Sequence, residues 1–330
     1  MTTSARIDDA SLGPVLITGA NGFIGTHATR FFSGIGNSVV ALTRGQPAPA
    51  GRGITNRVIR DLDDRPGLAS ALSGVQTVIH VAARVHAKKE GVESPDSACH
   101  RINVEGTRLL LEESVKAGVR RFLFISSVKA VASESDTIVD EDTTPMPTDA
   151  YGASKLEAER LVRVTAVQEG LHAPILRLPL VYGTGMKSNM ARLFQAVEQG
   201  IPLPLGDVRN RRSFVYVDNV MEGMRSVLTT PAAASETFFI SDGIDLSTPD
   251  LVRSIAASFG RRARLFPVPV GLMRSAANLL SRIGPIHLTL DSVSALVGSL
   301  FVDTAKIKKM TGYTPAVSID EGLARTARRE

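Results

Sequence analysis

The sequence predicts an α/β fold, a doubly wound parallel sheet followed by a smaller mixed α/β unit. Three observations predict it. Short apolar runs (Pro14–Thr18, Ser38–Leu42, Gln76–Val81, Arg121–Ile125, Pro174–Leu178) alternate with helix-forming stretches, the pattern of crossover connections between buried parallel strands. The first run leads straight into a glycine-spaced turn and then a helix. Beyond Gly183 the chain becomes richer in loops and proline and carries no second glycine motif. With 330 residues, the chain can bury a large core as one big domain or two closely joined ones. We divide it into a loose tail (1–13), a nucleotide-binding domain that also holds the reactive residues (14–182) and a partly interleaved substrate-binding domain (183–330).

Pro14–Thr18 reads as the first strand and Gly19-Ala20-Asn21-Gly22-Phe23-Ile24-Gly25 as the turn into a helix that ends near Phe32. Gly19 permits the tight turn. Gly22 lets the backbone approach a pyrophosphate at the helix N-terminus, where free N–H groups favour anions. Gly25 lets the helix pack close to the strand. This strand–turn–helix context makes the unit Rossmann-type and implies a dinucleotide, NAD or NADP. Ser38–Leu42 is the second strand. An acidic residue after it would bind the ribose hydroxyls of NAD, but the chain has Thr43-Arg44. A guanidinium there suits the 2′-phosphate of NADP, and tilts the reading that way. The alternative is that Arg44 stacks on adenine or points to solvent.

Residues 46–53 are a loop, Arg57–Ile59 a third strand ending in Asp61-Leu62, and 64–72 a helix. Gln76–Val81 passes into Ala82-Ala83, where small residues let a flat cofactor lie close. His80 reads as a packed strand-end residue. Val85–Pro95 is a polar loop and Ser97–Ala117 a long helix that contains Asn103. Arg121–Ile125 ends in Ser126-Ser127. Asp140, Glu141 and Asp142 read as solvated surface and not as a metal site.

Asp149 or a neighbour opens a helix with Tyr151 and Lys155 four apart, hence on one face. A phenol normally holds its proton to a pKa of about 10. An ammonium nearby favours the phenolate, so such a Tyr can trade a proton near neutral pH, as hydride transfer at a secondary alcohol carbon requires. Pro174–Leu178 is a further strand, followed by Pro179–Gly183. In the second half, 189–199 reads as a helix, 201–206 as turn-rich, 213–217 as a short strand leading into a helix from Asp218, and 237–240 as a strand. Helices follow near 248–259, 270–282 and 319–328.

A net charge of +5 is mild, and the basic clusters are short and scattered, which argues against nucleic acid. The single cysteine, Cys99, excludes an intrachain disulfide, fits a reducing compartment and reads as a bystander. The first thirteen residues lack the apolar core of a signal peptide, and no stretch reaches the roughly 20 apolar residues of a membrane span. A soluble, cytoplasmic protein is expected.

Taken in order, Thr18–Gly25, His80–Ala83, Asn103, Ser126-Ser127, Tyr151–Lys155 and Arg177–Gly183 resemble the extended short-chain dehydrogenase/reductases, and more narrowly their nucleotide-sugar epimerase/dehydratase group. The resemblance runs from Pro14 to about Ala327. It implies a hydroxyl from Ser127 on the reacting oxygen and Tyr151 as general acid/base. It implies that Lys155 binds the nicotinamide ribose and lowers the Tyr pKa, and that Asn103 supports the helix and a water near Lys155. Asp61 and Leu62 would contact adenine. Arg212, in Arg212–Asp218, and Asn189 would hold the substrate diphosphate; a surface cation and a helix cap are the plainer alternatives. The group's 4,6-dehydratases carry an Asp-Glu pair after the hydroxyl residue. Val128-Lys129 stand here, which argues against water elimination. The resemblance therefore implies a UDP-hexose or UDP-N-acetylhexosamine 4-epimerase or, equally, an NADPH-dependent 4-ketoreductase of a UDP-4-keto-6-deoxy-hexosamine, serving surface polysaccharide synthesis. A non-catalytic nucleotide-binding regulator is the remote alternative. A homodimer through the helices around 97–117 and 149–168 is expected on the same ground.

Overall fold

The computed structural model describes residues 12–85, 94–187, 189–280, 294 and 296–330. The tail to Ser11, most of the polar loop before Pro95, and the end of the helix assigned to 270–282 lie outside the described residues. Leu12 and Gly13, assigned to the loose tail, are instead packed: Leu12 is fully buried, and its carbonyl accepts a hydrogen bond from Thr77 Oγ1 at 2.6 Å.

Seven parallel strands form the central sheet. In chain order they are β1 (Val15–Thr18), β2 (Val39–Arg44), β3 (Ile54–Ile59), β4 (Thr77–His80), β5 (Arg121–Ser127), β6 (Ile175–Leu178) and β9 (Thr237–Phe239). Their spatial order is β3-β2-β1-β4-β5-β6-β9. The direction of winding reverses between β1 and β4, and the carboxyl ends of strands at such a switch point open a crevice. β9 comes from the second half of the chain, so the two halves share one sheet.

Alternation along each strand decides what covers each face. On β1, Val15 and Ile17 face one core and Leu16 the other; on β5, Leu123 and Ile125 oppose Phe122 and Phe124. The first core takes Phe32 from α1 (Phe23–Gly34), Val220 and Met224 from α7 (Val217–Thr229), and Leu323 from α11 (Ile319–Arg328). The second takes Leu68 from α2 (Arg65–Leu72), Leu110 from α4 (Gly106–Lys116) and Val162 from α5 (Ala150–Glu169).

Several boundaries differ from the sequence reading. β3 begins three residues earlier, because it pairs with β2 along its whole length from Ile54. The long helix begins at Pro95 as α3 (Pro95–Cys99) and widens into a π turn at His100–Glu105 before α4. β7 (Leu180–Tyr182) and β8 (Phe214–Tyr216) pair in parallel as a separate two-stranded sheet. The sequence reading gave 180–182 no strand, because three residues are too few to show a period. α10 (Ala305–Thr311), with a lysine-rich exposed face, was likewise missed. α6 (Asn189–Glu198), α8 (Thr248–Ser258) and α9 (Val270–Leu280) complete the second half.

Candidate active site

The glycine turn has the shape the sequence asks for. Gly19 has φ +65°, and a Cβ on Gly25 would lie 2.1 Å from the Gly19 carbonyl oxygen. α1 starts at Gly22 with no side-chain cap and no acidic residue in its first turn. That leaves a helix N-terminus ready for an anion. Asn21 and Phe23 flank Gly22 in this turn; the Asn21 side chain donates to the Gln46 carbonyl at 3.3 Å, closing one end of the turn. Ile24 packs half-buried against the first core.

Thr18, at the end of β1, fixes the opposite wall. Its hydroxyl oxygen accepts from the backbone N–H groups of Val81 (3.1 Å) and Ala82 (3.0 Å) and lies 2.7 Å from His80 Nδ1. His80 Nε2 reaches Thr107 Oγ1 at 2.9 Å, and that hydroxyl donates to the Asn103 carbonyl at 2.6 Å. Thr107 thus accepts from His80, so the ring carries its proton on Nε2 and takes Thr18's proton at Nδ1. Burial first, and then the positive Lys155, push the His80 pKa down to about 3. His80 is a neutral strut, as the sequence reading supposed.

At the ends of β2 and β3, Arg44 Nη1 lies 3.5 Å from Asp61 Oδ2, and Arg101 lies 3.2 Å from the same oxygen. Asp61 Oδ1 also accepts from the Leu62 N–H at 2.9 Å. The sequence reading assigned Arg44 and Asp61 separate roles; the structure joins them. Thr43 is buried beside them, and its hydroxyl has no hydrogen-bond partner among the described residues. Thr184 Oγ1, after β7, is likewise buried without one. A tight glycine cradle, an uncapped helix start, the small residues Ala82 and Ala83, and the unpartnered buried hydroxyls of Thr43 and Thr184 together fit a dinucleotide.

Asn103 sits in the π turn and is 2% exposed. Its side chain exchanges two hydrogen bonds with the Arg84 backbone (2.8 and 3.0 Å) and donates to Ser154 Oγ at 2.9 Å. It therefore pins the segment after β4 to α5, one residue from Lys155. Asp149 opens α5: its side chain accepts from the Gly152 N–H at 2.7 Å, and Lys129 Nζ lies 2.6 Å from it. Lys129 stands where the dehydratase pattern has an acid.

The Ser127 hydroxyl stands near enough to the Tyr151 phenol to draw its pKa down, so the two hydroxyls face one another. Lys155 is 1% exposed, with Nζ 4.1 Å from the centre of the Phe124 ring. The electrostatics differ from the expectation of a Tyr brought toward neutrality. Burial pushes the phenol up to about 12, against the pull of Ser127. Burial also pushes the Lys155 amine down to about 7, against the attraction of Glu159. Both shifts have one cause, the cost of holding a charge away from water.

Glu159 was missed by the sequence reading. It is fully buried one turn beyond Lys155, and accepts from Ser126 Oγ (2.6 Å), Arg177 Nε and Nη2 (2.9 and 2.8 Å) and Arg163 (2.9 Å). The i, i+4 continuation of the Tyr–Lys face was the signal that could have found it. Glu141 corrects another assignment. It is not plain solvated surface: it is half-buried, accepts from the Phe239 N–H at 2.9 Å, and its pKa is raised by burial. Cys99 is buried and its thiol is pushed up, chiefly by burial.

The substrate-side candidates sit apart from this cluster. Asn189 is the exposed first residue of α6. Arg212 is half-buried and donates from Nη1 to the Gly298 carbonyl at 2.9 Å, so it is not a free surface cation. Among the described residues neither makes a hydrogen bond or ion pair with Ser127, Tyr151 or Lys155, and no group of acidic, His or Cys side chains is arranged to hold a metal ion. No helix among them is long and apolar enough to cross a membrane.

Comparison with known proteins agrees with this geometry. The chain is 30% identical over 318 residues to the UDP-glucose 4-epimerase of Vibrio cholerae, covering 95% of this chain and 94% of that one. It is 28% identical over 323 residues to the N-acetyl-alpha-D-glucosaminyl-diphospho-ditrans,octacis-undecaprenol 4-epimerase of Escherichia coli O157:H7, with 96% and 95% covered. Among solved structures, MoeE5 in complex with UDP-glucuronic acid and NAD superposes with a TM-score of 0.76 at 29% identity, over 96% of this chain and 98% of that one. The profile of the family described as NAD dependent epimerase/dehydratase matches residues 15–240. With the glycine cradle, the Ser127–Tyr151 contact and the buried Lys155 all inside that span, the chain belongs to the NAD dependent epimerase/dehydratase family and is an enzyme.

Proposed function

We propose that the protein is a UDP-sugar 4-epimerase, acting on a UDP-hexose or UDP-N-acetylhexosamine. The observation that carries the reading is the pairing of Ser127, at the carboxyl end of β5, with Tyr151 on α5, in the same sheet whose β1 leads into the glycine cradle. A nicotinamide cofactor held by the Gly19–Gly25 turn and Lys155 would supply the hydride acceptor and donor for the sugar carbon. Tyr151 takes the proton from the C4 hydroxyl and gives it back, and Ser127 hydrogen-bonds the same oxygen through both directions. Lys155 supplies positive charge near the phenolate and holds the cofactor ribose. General acid/base help of this kind contributes about 10²–10⁴-fold. Gly19 to Gly25 receive the pyrophosphate, Asp61 and Leu62 face adenine, and Arg212 with Asn189 holds the sugar diphosphate.

Lys129 in place of a dehydratase acid supports epimerisation over elimination. The relatives named as 4-epimerases support it too. Arg44 is already engaged by Asp61, which supports NAD over NADP as the resident cofactor. The exposed Val164 and Val167 on α5 support pairing of that face with a second copy. A reducing, cytoplasmic setting and a part in surface polysaccharide precursor synthesis complete the reading.

The test is direct. The purified protein is incubated with UDP-glucose and with UDP-N-acetylglucosamine, and the products are followed by proton NMR. Appearance of the C4 epimer without added reductant is the expected result. Inertness toward both, with NADPH oxidation on a UDP-4-keto-6-deoxy-hexosamine, would replace the epimerase by the 4-ketoreductase.

A further inference from the structure

Two arginines and a serine converge on the one carboxylate of Glu159, and none of them has a part in the chemistry proposed above. Ser126 immediately precedes Ser127 on β5, and its hydroxyl donates to Glu159 at 2.6 Å. Arg177 on β6 is 2% exposed and binds both Glu159 oxygens. Arg163, one turn further along α5, reaches Glu159 at 2.9 Å and Thr237 on β9 at 3.1 Å. Strands β5, β6 and β9 and helix α5 are thus tied at one point. A buried carboxylate held by so many donors has one position, and it transmits that position to its neighbours.

Lys155 lies four residues before Glu159 on the same helix face. Its other neighbours are the Phe124 ring and the neutral His80, so Glu159 is the negative group that faces it. Both Arg177 and Lys306 act on the half-buried Glu141, and Lys306 pairs with Glu236 at 2.8 Å.

We propose that Glu159 is a positioning residue for the reaction: its carboxylate holds Ser127 in place through Ser126, and sets a fixed negative charge one helical turn from Lys155. This deepens the proposed function and rests on it for the roles of Ser127 and Lys155. Ser127 must meet Tyr151 at hydrogen-bond distance, and the two sit on different elements. The Ser126–Glu159 bond is a buried side-chain tie between the end of β5 and α5, one residue from Ser127. Removing the charge of Glu159 while keeping its shape leaves Lys155 with no anion to offset its burial, so its proton is released at lower pH.

The test reads Lys155 itself and needs no substrate. Protein carrying ¹³C-labelled lysine is titrated by NMR, with the Lys155 signal assigned by its loss in Lys155→Met. In Glu159→Gln the Lys155 midpoint is expected to fall by one unit or more, a tenfold change in the ionisation constant. An unchanged midpoint in a folded variant overturns the proposal. A guanidinium left without its carboxylate can unfold the protein. The double variant Glu159→Gln/Arg177→Gln removes both members of the pair and is read in the same way. If UDP-sugars are turned over, the alkaline limb of the kcat profile, where Lys155 loses its charge, should move to lower pH while KM changes less than threefold; a profile that stays put also overturns it. If the native protein turns over no UDP-sugar, the function assigned above falls, and the Lys155 titration still decides the role of Glu159.

Discussion

Replacing Gly25 by Ala tests the cradle at its tightest point. The added methyl would lie 2.1 Å from the Gly19 carbonyl oxygen, 2.8 Å from its carbon and 2.9 Å from Ala20 Cα. Real Cβ atoms do not approach closer than 3.0 Å, so the turn must open by at least 0.9 Å, the difference between the two distances. All three contacts are backbone, and no side chain can swing away to absorb the shift. Overpacking of this kind costs about 1–3 kcal/mol. At roughly 2–4 °C per kcal/mol for large domains, Tm should fall by several degrees. The displaced N–H groups are those that would meet the pyrophosphate, so NAD affinity by calorimetry should fall at least tenfold. Gly34, at the far end of the same helix, has nothing within 4 Å of a built Cβ, and Gly34→Ala should leave both quantities unchanged or slightly improved. If Gly25→Ala binds NAD within threefold of the native protein and melts within a degree of it, the cradle does not hold the dinucleotide.

Four further outcomes follow. Tyr151→Phe should lower kcat by about 10²–10⁴-fold while leaving NAD affinity within threefold; an equal loss in both would reassign the residue to binding. Mass spectrometry of nucleotide released by heating freshly purified protein should find near-stoichiometric NAD, and a dominant NADP signal would return Arg44 to the 2′-phosphate. Lys155 in the fold releases its proton near pH 7, far below the unfolded value of about 10.5. Between those values the unfolded chain binds the extra proton, so the native protein should gain stability over Lys155→Met as pH rises from 7 to 10.5. The gain is up to about 1.4 kcal/mol per pH unit in urea unfolding, and a flat difference would show that the amine is not depressed. Arg177→Met should cost about 3–5 kcal/mol by urea unfolding, because it strands a buried carboxylate; a loss under 1 kcal/mol would mean that Arg163 alone satisfies Glu159.

Most of the fold was legible because its signals are local. A strand buried on both faces shows as a continuous apolar run, and β1, β4 and β5 were found that way. The glycine turn and the Tyr151–Lys155 spacing are also local, whereas Ser127 came only through the resemblance. What escaped depends on partners far along the chain. β7 is three residues whose strand character exists only against β8. Arg44 and Asp61 were read as separate ligands, since nothing in the sequence says that β2 and β3 end side by side. The shifts on Tyr151 and Lys155 were misjudged because spacing reports proximity but not desolvation, and desolvation dominates here. Glu159 was passed over because an acid on an exposed-looking helix is usually a solvated one.

The π turn at His100–Glu105 sets a rule about length. A π turn carries one residue more than the α-helical path it replaces, so α3 and α4 run on one axis but out of phase by about 100°. Cys99 lies before that step, Asn103 within it, and the core residues Leu109 and Leu110 beyond it. Deleting a single residue within the turn would leave an uninterrupted helix of ordinary geometry. It would also swing either Asn103 off Ser154 or Leu110 out of the core. This segment should therefore tolerate no change of length, even at its exposed positions.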